Sequence, residues 1–134
     1  MNLQLVIKVS GVLLILLACA HATFPSLFHW REELRRLSTL NRQMFLVHSF
    51  FMAVLLAGFG ALNLFYTNEL LEQSSLSRAI VAGMACFWLL RLFVQLFVYD
   101  PSLWKGNSRR TAAHVGFTLF WVALVSQYTA VLWR

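Results

Sequence analysis

The stretch FWLLRLFVQLFVYD, residues 87–100, decides the fold of this chain. It lies in an apolar run from about residue 79 to residue 99, which is long enough to cross a bilayer as a helix. Arg91 stands inside that run, a helical distance of about 13 Å before Asp100. A charged side chain at that depth is expensive unless it faces protein, water or an anion. The sequence therefore predicts a polar interior around Arg91.

The composition agrees with a polytopic membrane protein. The 134 residues are 60% hydrophobic and only 12% charged, as expected where the lipid-facing surface is as apolar as the core. The apolar runs predict an all-α fold, an integral membrane four-helix bundle that forms one membrane domain over residues 1–134. Its spans are expected at about residues 3–22, 44–66, 79–99 and 111–133.

The first span has two rival interpretations as a cleaved segment. Ala20-His21-Ala22 is similar to a signal-peptidase site, and residues 16–19 are similar to a lipoprotein cleavage box. Cleavage would leave three spans and would place two arginine-rich connections outside, whereas positive connections stay in the cytoplasm. The sequence therefore favours a retained first helix.

The orientation follows from the basic residues. The first and third connections together carry seven of the Lys and Arg residues, and the other side carries only Arg78 and Arg134. This predicts both termini on the non-cytoplasmic side of an integral membrane protein, with a bacterial inner membrane as the expected location. The net charge of +6 lies beside the spans, so the predicted partner is membrane lipid rather than nucleic acid. A partner membrane subunit or a homo-oligomer is a further possibility.

The first connection predicts a short amphipathic interfacial helix between the first two spans, at about residues 26–37. Trp30 supplies an aromatic anchor, Leu34 and Leu37 an apolar stripe, and the arginines a charged face. Ser38 or Thr39 is expected to cap the following helix. The alternative is a solvated segment that only sets the orientation. The predicted interfacial residues are Trp30, Arg31, Arg35, Arg36 and, in the third connection, Trp104.

The polar residues of the spans predict a pocket in the cytoplasmic half. At 100° per residue, Met84, Phe87, Trp88, Gln95 and Val98 share a helix face with Arg91. His48 and His114 lie near the starts of spans two and four, at a depth similar to that of Gln95. The candidate ligand-binding residues are therefore Arg91, Gln95, Trp88, His48 and His114.

Side-chain size adds a second expectation about this pocket. Small residues lie in the outer halves of spans two and three, and Ala79 and Gly83 have the spacing that lets helix backbones approach each other. Large aromatic side chains lie in the cytoplasmic halves. Such helices would lie close together in their non-cytoplasmic halves and would be held apart in their cytoplasmic halves. This predicts a wedge that opens toward the cytoplasm.

The leading functional hypothesis is a non-catalytic membrane component that binds an amphiphile (a lipid, a quinone or an isoprenoid) or a partner subunit around Arg91. None of the five acidic residues lies inside a predicted span, and a phosphate or carboxylate would match the guanidinium. The alternative is a b-type haem-binding electron-transfer protein with His48 and His114 as axial ligands. A purely structural role would instead pair Arg91 with helix-end carbonyls, Gln95 or a neighbouring chain.

Other chemistry has little support in the sequence. No Ser, Thr or Cys has an evident base and orienting carboxylate, so no catalytic residue is predicted. The histidines and the two cysteines lack metal-ligand spacing, so no metal site is predicted. A proton-coupled transporter would be expected to carry a carboxylate inside the membrane, which disfavours transport.

Overall fold

The structure is a computed structural model that describes residues 2–134. The described residues form helices joined by short turns, without a strand among them. Four of the described helices are long and apolar enough to cross a membrane, which confirms the prediction of an all-α chain with four candidate spans. These helices are α1 (Leu3–Ala20), α4 (Thr39–Phe65), α6 (Ser75–Phe93) and α7 (Ser108–Leu132). The shorter helices are α2 (Phe24–Leu27), α3 (Trp30–Glu33) and α5 (Thr67–Leu71).

Each long helix begins after a polar residue whose side chain accepts a hydrogen bond from the first turn. Such a cap satisfies one of the backbone N–H groups that have no partner inside the helix. Ser38 accepts from the N–H of Asn41 at 3.3 Å, which confirms its predicted role as the cap of α4. The other three caps are Asn2, Ser74 and Asn107.

The chain divides into two compact units, the first ending at Thr67 and the second comprising Asn68–Arg134. In the first unit α1 packs against α4, and in the second α6 packs against α7.

Two glycines bring α1 and α4 close together. A Cβ added to Gly60 would lie 2.6 Å from Ile15 Cγ1 and 2.8 Å from the carbonyl oxygen of Gly11. One added to Gly11 would lie 2.9 Å from both the Asn63 Cβ and the Gly60 carbonyl oxygen. Beside this contact the buried Asn63 donates to Ser10 Oγ at 3.0 Å. Small residues and an interhelical hydrogen bond therefore join this pair, as in other membrane helices.

Gly83 makes no such close approach to α7, its neighbour in the second unit. A Cβ added to Gly83 would meet no atom within 4 Å among the described residues, and the same holds for Gly58. The spacing of small residues identifies positions where a second helix could approach closely. It does not show on which side of the helix that neighbour lies. Gly60 is buried against α1, whereas Gly58 and Gly83 are exposed.

The predicted interfacial helix at residues 26–37 is interrupted in the structure. His29 adopts a left-handed conformation, with φ of 52°, between α2 and α3, and Leu34–Arg36 form a separate 3₁₀ turn. A residue in the left-handed conformation commonly ends a helix. The spacing of apolar residues, from which the continuous helix was predicted, contains no sign of this break. The Trp30 ring meets the Phe45 ring edge-on at 4.8 Å, which ties this segment to α4.

A polar clamp holds the end of α7 in the second unit. Gln73, with φ of 63°, donates from Nε2 to the carbonyl oxygen of Val131 at 2.5 Å. Arg78 donates to Gln73 Oε1 at 2.7 Å and to the Leu132 carbonyl oxygen at 3.2 Å. The turn before α6 is therefore bonded to the last turn of α7.

Candidate functional site

The Arg91 guanidinium contacts uncharged side chains of the second unit. Its Nη1 donates to Gln95 Oε1 at 3.2 Å. Its guanidinium carbon lies 5.0 Å from the ring centroid of Trp121 and 5.6 Å from that of Tyr99. We call Arg91, Gln95, Tyr99, His114 and Trp121 the Arg91 cluster. The side chain is half-buried, and every contact described for the guanidinium within residues 2–134 is with an uncharged group.

Gln95 connects Arg91 to His114. Its Nε2 lies 2.7 Å from His114 Nδ1, and only 5% of Gln95 is exposed. Because Oε1 accepts from the guanidinium, the amide nitrogen must face the histidine and donate to it. His114 Nδ1 is then an acceptor, and the ring hydrogen lies on Nε2. The fixed charge of Arg91 thus selects the tautomer of His114 through one amide.

Two aromatic stacks hold His114 and Trp121, the two members of the Arg91 cluster that α7 provides. The His114 ring stacks on Trp104 with centroids 3.8 Å apart and an interplanar angle of 8°. Trp121 stacks on Trp88 with centroids 5.1 Å apart and an angle of 11°. Trp88 is 1% exposed and Trp121 is 3% exposed. The indole Nε1 of Trp121 is buried and has no hydrogen-bond acceptor among residues 2–134.

Gln95 occupies a widened turn at the end of α6. Residues Val94–Val98 form a π-helix, and the Tyr99 N–H donates to the Val94 carbonyl oxygen at 3.3 Å. Such turns are rare and frequently occur at functional sites. Here the turn contains Gln95 and is followed directly by Tyr99, and both side chains contact Arg91.

Most of the residues predicted to share a face with Arg91 on span three are buried within the second unit. Met84, Trp88 and Gln95 are buried, and Arg91 is half-buried. Val98, expected on the same face, is 61% exposed. The reason is the π-helix, because its i→i+5 bonding gives each residue a smaller rotation than the 100° assumed from the sequence.

The structure describes no contact between His48 and the Arg91 cluster. It belongs to the first unit, is exposed, and its Nδ1 lies 2.6 Å from the Met44 carbonyl oxygen. A carbonyl only accepts, so Nδ1 carries the hydrogen and the Nε2 lone pair is available. His48 and His114 therefore have opposite tautomers.

Most of the aromatic residues expected to hold the helices apart have exposed side chains. Phe50 and Phe51 are each 63% exposed, and Phe93 and Phe97 are exposed as well. Trp88 is the exception, since it packs on Trp121. The helix period assigns these residues to faces of a helix, but it does not show which face packs against the partner helix of the same unit.

The predicted interfacial residues occupy the two basic connections. Trp30 and Trp104 are half-buried, and Arg31, Arg35 and Arg36 are exposed. Thr111 Oγ1 donates to the Trp104 carbonyl oxygen at 2.9 Å, which fixes the turn that carries the indole against His114.

Asp100 shapes the start of the connection that carries Trp104. Its Oδ1 accepts a hydrogen bond from the backbone N–H of Ser102 at 2.7 Å. This bond, followed by one from the Ser102 side chain and by the charge of Lys105, lowers the pKa of Asp100 below its ordinary value of 3.8. Asp100 lies outside the spans and caps the 3₁₀ turn Pro101–Leu103.

Sequence reasoning missed Tyr99 and Trp121 as contacts of Arg91. Trp121 lies seven residues after His114, about two helical turns, so both side chains occupy one face of α7. The sequence alone shows that spacing. It does not show the contact of Tyr99 with Arg91, because that contact depends on the π-helix.

Comparison with protein-family models, curated proteins and solved structures finds no match to this chain. Within residues 2–134, no three His, Cys, Asp or Glu residues are grouped so that they could hold a metal ion.

Proposed function

We propose that this chain is a non-catalytic integral membrane component that binds the anionic or carbonyl-bearing head of an amphiphile at the Arg91 cluster. The observation that carries the proposal is a guanidinium inside an apolar helix whose described contacts are all uncharged. A lipid phosphate, an isoprenoid phosphate or a quinone carbonyl has the oxygen atoms that such a group prefers.

The unused donors of the site support this interpretation. A guanidinium has five N–H donors, and only the bond to Gln95 is described for Arg91 within residues 2–134. The cation–π contacts with Trp121 and Tyr99 stabilise the charge but accept no hydrogen bond in the plane of the guanidinium. Trp121 Nε1 adds a second donor without an acceptor in the described chain. An oxygen-rich head group would satisfy both.

The haem alternative with His48 and His114 is less well supported. An imidazole binds iron through a nitrogen lone pair. Donation from Gln95 to His114 Nδ1 puts a hydrogen on Nε2, so ligation would require the amide to turn away from Arg91. A visible absorption spectrum of the detergent-purified protein tests this alternative directly, since bound haem gives a Soret band.

The test of the proposed function is the amphiphile that co-purifies with the chain. Lipids extracted from purified wild-type protein and from Arg91→Leu are compared by mass spectrometry, with Arg78→Leu as the control. Arg78 lies on the same helix but is bonded to Gln73 and Leu132. We expect Arg91→Leu to lose a bound amphiphile that both the wild type and Arg78→Leu retain.

Two outcomes would contradict the proposal. One is a protein that carries the same amphiphiles with and without Arg91. The other is a carboxylate of a co-purifying membrane subunit that cross-links to this position, which would make Arg91 a subunit contact.

A further inference from the structure

The first unit contains a cavity of about 360 Å³ that the Arg91 cluster does not include. It lies where α3 and the following turn meet the start of α4. Its volume falls within the range of about 300–1,000 Å³ that is typical of small-ligand sites. The residues that line it are Pro25, Trp30, Arg31, Leu34, Arg35, Arg42 and Leu46.

Three arginines line this cavity. Arg31 lies on α3, Arg35 follows four residues later in the 3₁₀ turn, and Arg42 comes from the first turns of α4. Of the described residues that line the cavity, none is acidic, although Glu32 and Glu33 follow Arg31 in the chain. Within residues 2–134, no hydrogen bond or ion pair is described for the three guanidinium groups. The cavity therefore has a concentrated positive charge, which favours an anion.

The apolar part of the lining points to a lipid rather than to a free anion. Leu46 follows Arg42 by one helical turn on α4, so both lie on one face, with Leu46 deeper in the span. Leu46 is exposed, as are Leu27 and Leu40 nearby in the chain. A phosphate at the arginines would therefore have an apolar surface next to it along the membrane-spanning helix.

Trp30 gives the cavity a fixed wall at the membrane interface. Its ring contacts the Phe45 ring edge-on at 4.8 Å, and tryptophan prefers the head-group region of a bilayer. We infer that this cavity binds the phosphate of an anionic phospholipid, with Arg31, Arg35 and Arg42 on the phosphate and the acyl chain along Leu46. The site is distinct from the Arg91 cluster and does not depend on the function proposed for it.

Native mass spectrometry of the full-length protein in detergent, titrated with phosphatidylglycerol, tests this inference. Arg35→Gln and Arg42→Gln are expected to weaken binding about tenfold each, because an Arg–phosphate hydrogen bond contributes at least about 1.4 kcal/mol. Arg36→Gln is the matched control, since Arg36 is the neighbour of Arg35 but does not line the cavity. It should change the affinity less than about twofold. Arg35→Lys should give an intermediate loss, because an ammonium cannot form the two-pronged contact.

Phosphatidylcholine with the same acyl chains should bind far more weakly than phosphatidylglycerol, and inorganic phosphate should not displace the lipid. Equal losses in Arg36→Gln and Arg35→Gln would overturn the inference in favour of a diffuse basic surface. Displacement by inorganic phosphate would overturn it in favour of a free-anion site. Unchanged affinity in Arg35→Gln and Arg42→Gln, with their thermal stability retained, would also overturn it.

Discussion

Gln95 Nε2 lies 2.7 Å from His114 Nδ1, while Oε1 of the same amide accepts from Arg91. The two halves of one amide group therefore meet a permanent donor and a histidine nitrogen. Turning the amide over would place its NH₂ group against the N–H of Arg91, so that two donors would face each other. The permanent charge of Arg91 therefore fixes the orientation of the amide. Changes at Gln95 should affect both the charge of the site and the stability of the α6–α7 pair.

Replacing Gln95 with Glu should separate binding from folding. The carboxylate would pair with Arg91 inside the helix pair, so the variant should keep or raise the thermal unfolding midpoint. The same pair would neutralise the guanidinium and should reduce binding of an anionic amphiphile at least about tenfold, the equivalent of 1.4 kcal/mol. Lipid extraction with mass spectrometry and a thermal melt in detergent measure the two effects. Full retention of the amphiphile would show that the charge of Arg91 is not what binds it.

The bond between Gln95 and His114 should be visible in a double-mutant cycle. Gln95→Leu and His114→Phe each leave a partner unpaired, which is expected to destabilise the protein by about 1–3 kcal/mol. His114→Phe keeps a ring for the stack on Trp104. The double variant should lose less than the sum of the two, by at least about 0.5 kcal/mol. Chemical unfolding in detergent gives the four stabilities, and strict additivity would contradict a coupled pair.

Glycine substitutions in α4 should differ sharply in their effect. Gly60→Ala places a methyl group 2.6 Å from Ile15 Cγ1 and 2.8 Å from a backbone oxygen, so the helices must separate, at a cost of about 1–3 kcal/mol. Gly58→Ala meets no described atom within 4 Å and should be neutral or stabilise by up to about 1 kcal/mol through helix propensity. Thermal melts of the two variants test the contrast, and equal effects would show that the α1–α4 contact is not close at Gly60.

The connection after α6 should loosen in acid. Because the hydrogen bond from Ser102 lowers the pKa of Asp100, the carboxylate stabilises the turn above pH 3.8, its ordinary value. That contribution is lost as the pH falls through the lowered value. Hydrogen exchange of the backbone amides of residues 102–105, corrected for intrinsic rates, should therefore show less protection at low pH. Asp100→Asn keeps an acceptor for the Ser102 N–H but does not titrate, so its protection should not change over that range.

The spans could be predicted because they depend on local composition. Ser38 was predictable as a cap for the same reason, since a cap needs only one polar side chain before an apolar run. The pairing of Arg91 with Gln95 follows from a separation of one helical turn. These features require no knowledge of the other helices.

The remaining features depend on departures from regular helix or on neighbours distant in sequence. The left-handed conformation of His29 and the π-helix at Val94–Val98 change the direction of the chain without a Gly or Pro to mark them. The close contact at Gly60 depends on which face of α4 meets α1. The arginine-lined cavity needs Arg42 of α4 beside Arg35, which the predicted continuous helix at residues 26–37 did not suggest.

The widened turn at Val94–Val98 also makes this part of the chain tolerant of a change in length. A π-helical turn contains one residue more than the α-helical turn it replaces. Deleting a single residue there would therefore restore i→i+4 hydrogen bonding rather than break the helix. Gln95 and Tyr99 would then rotate relative to Arg91. One codon lost at this position would thus preserve the membrane span while dismantling the arrangement around its charge.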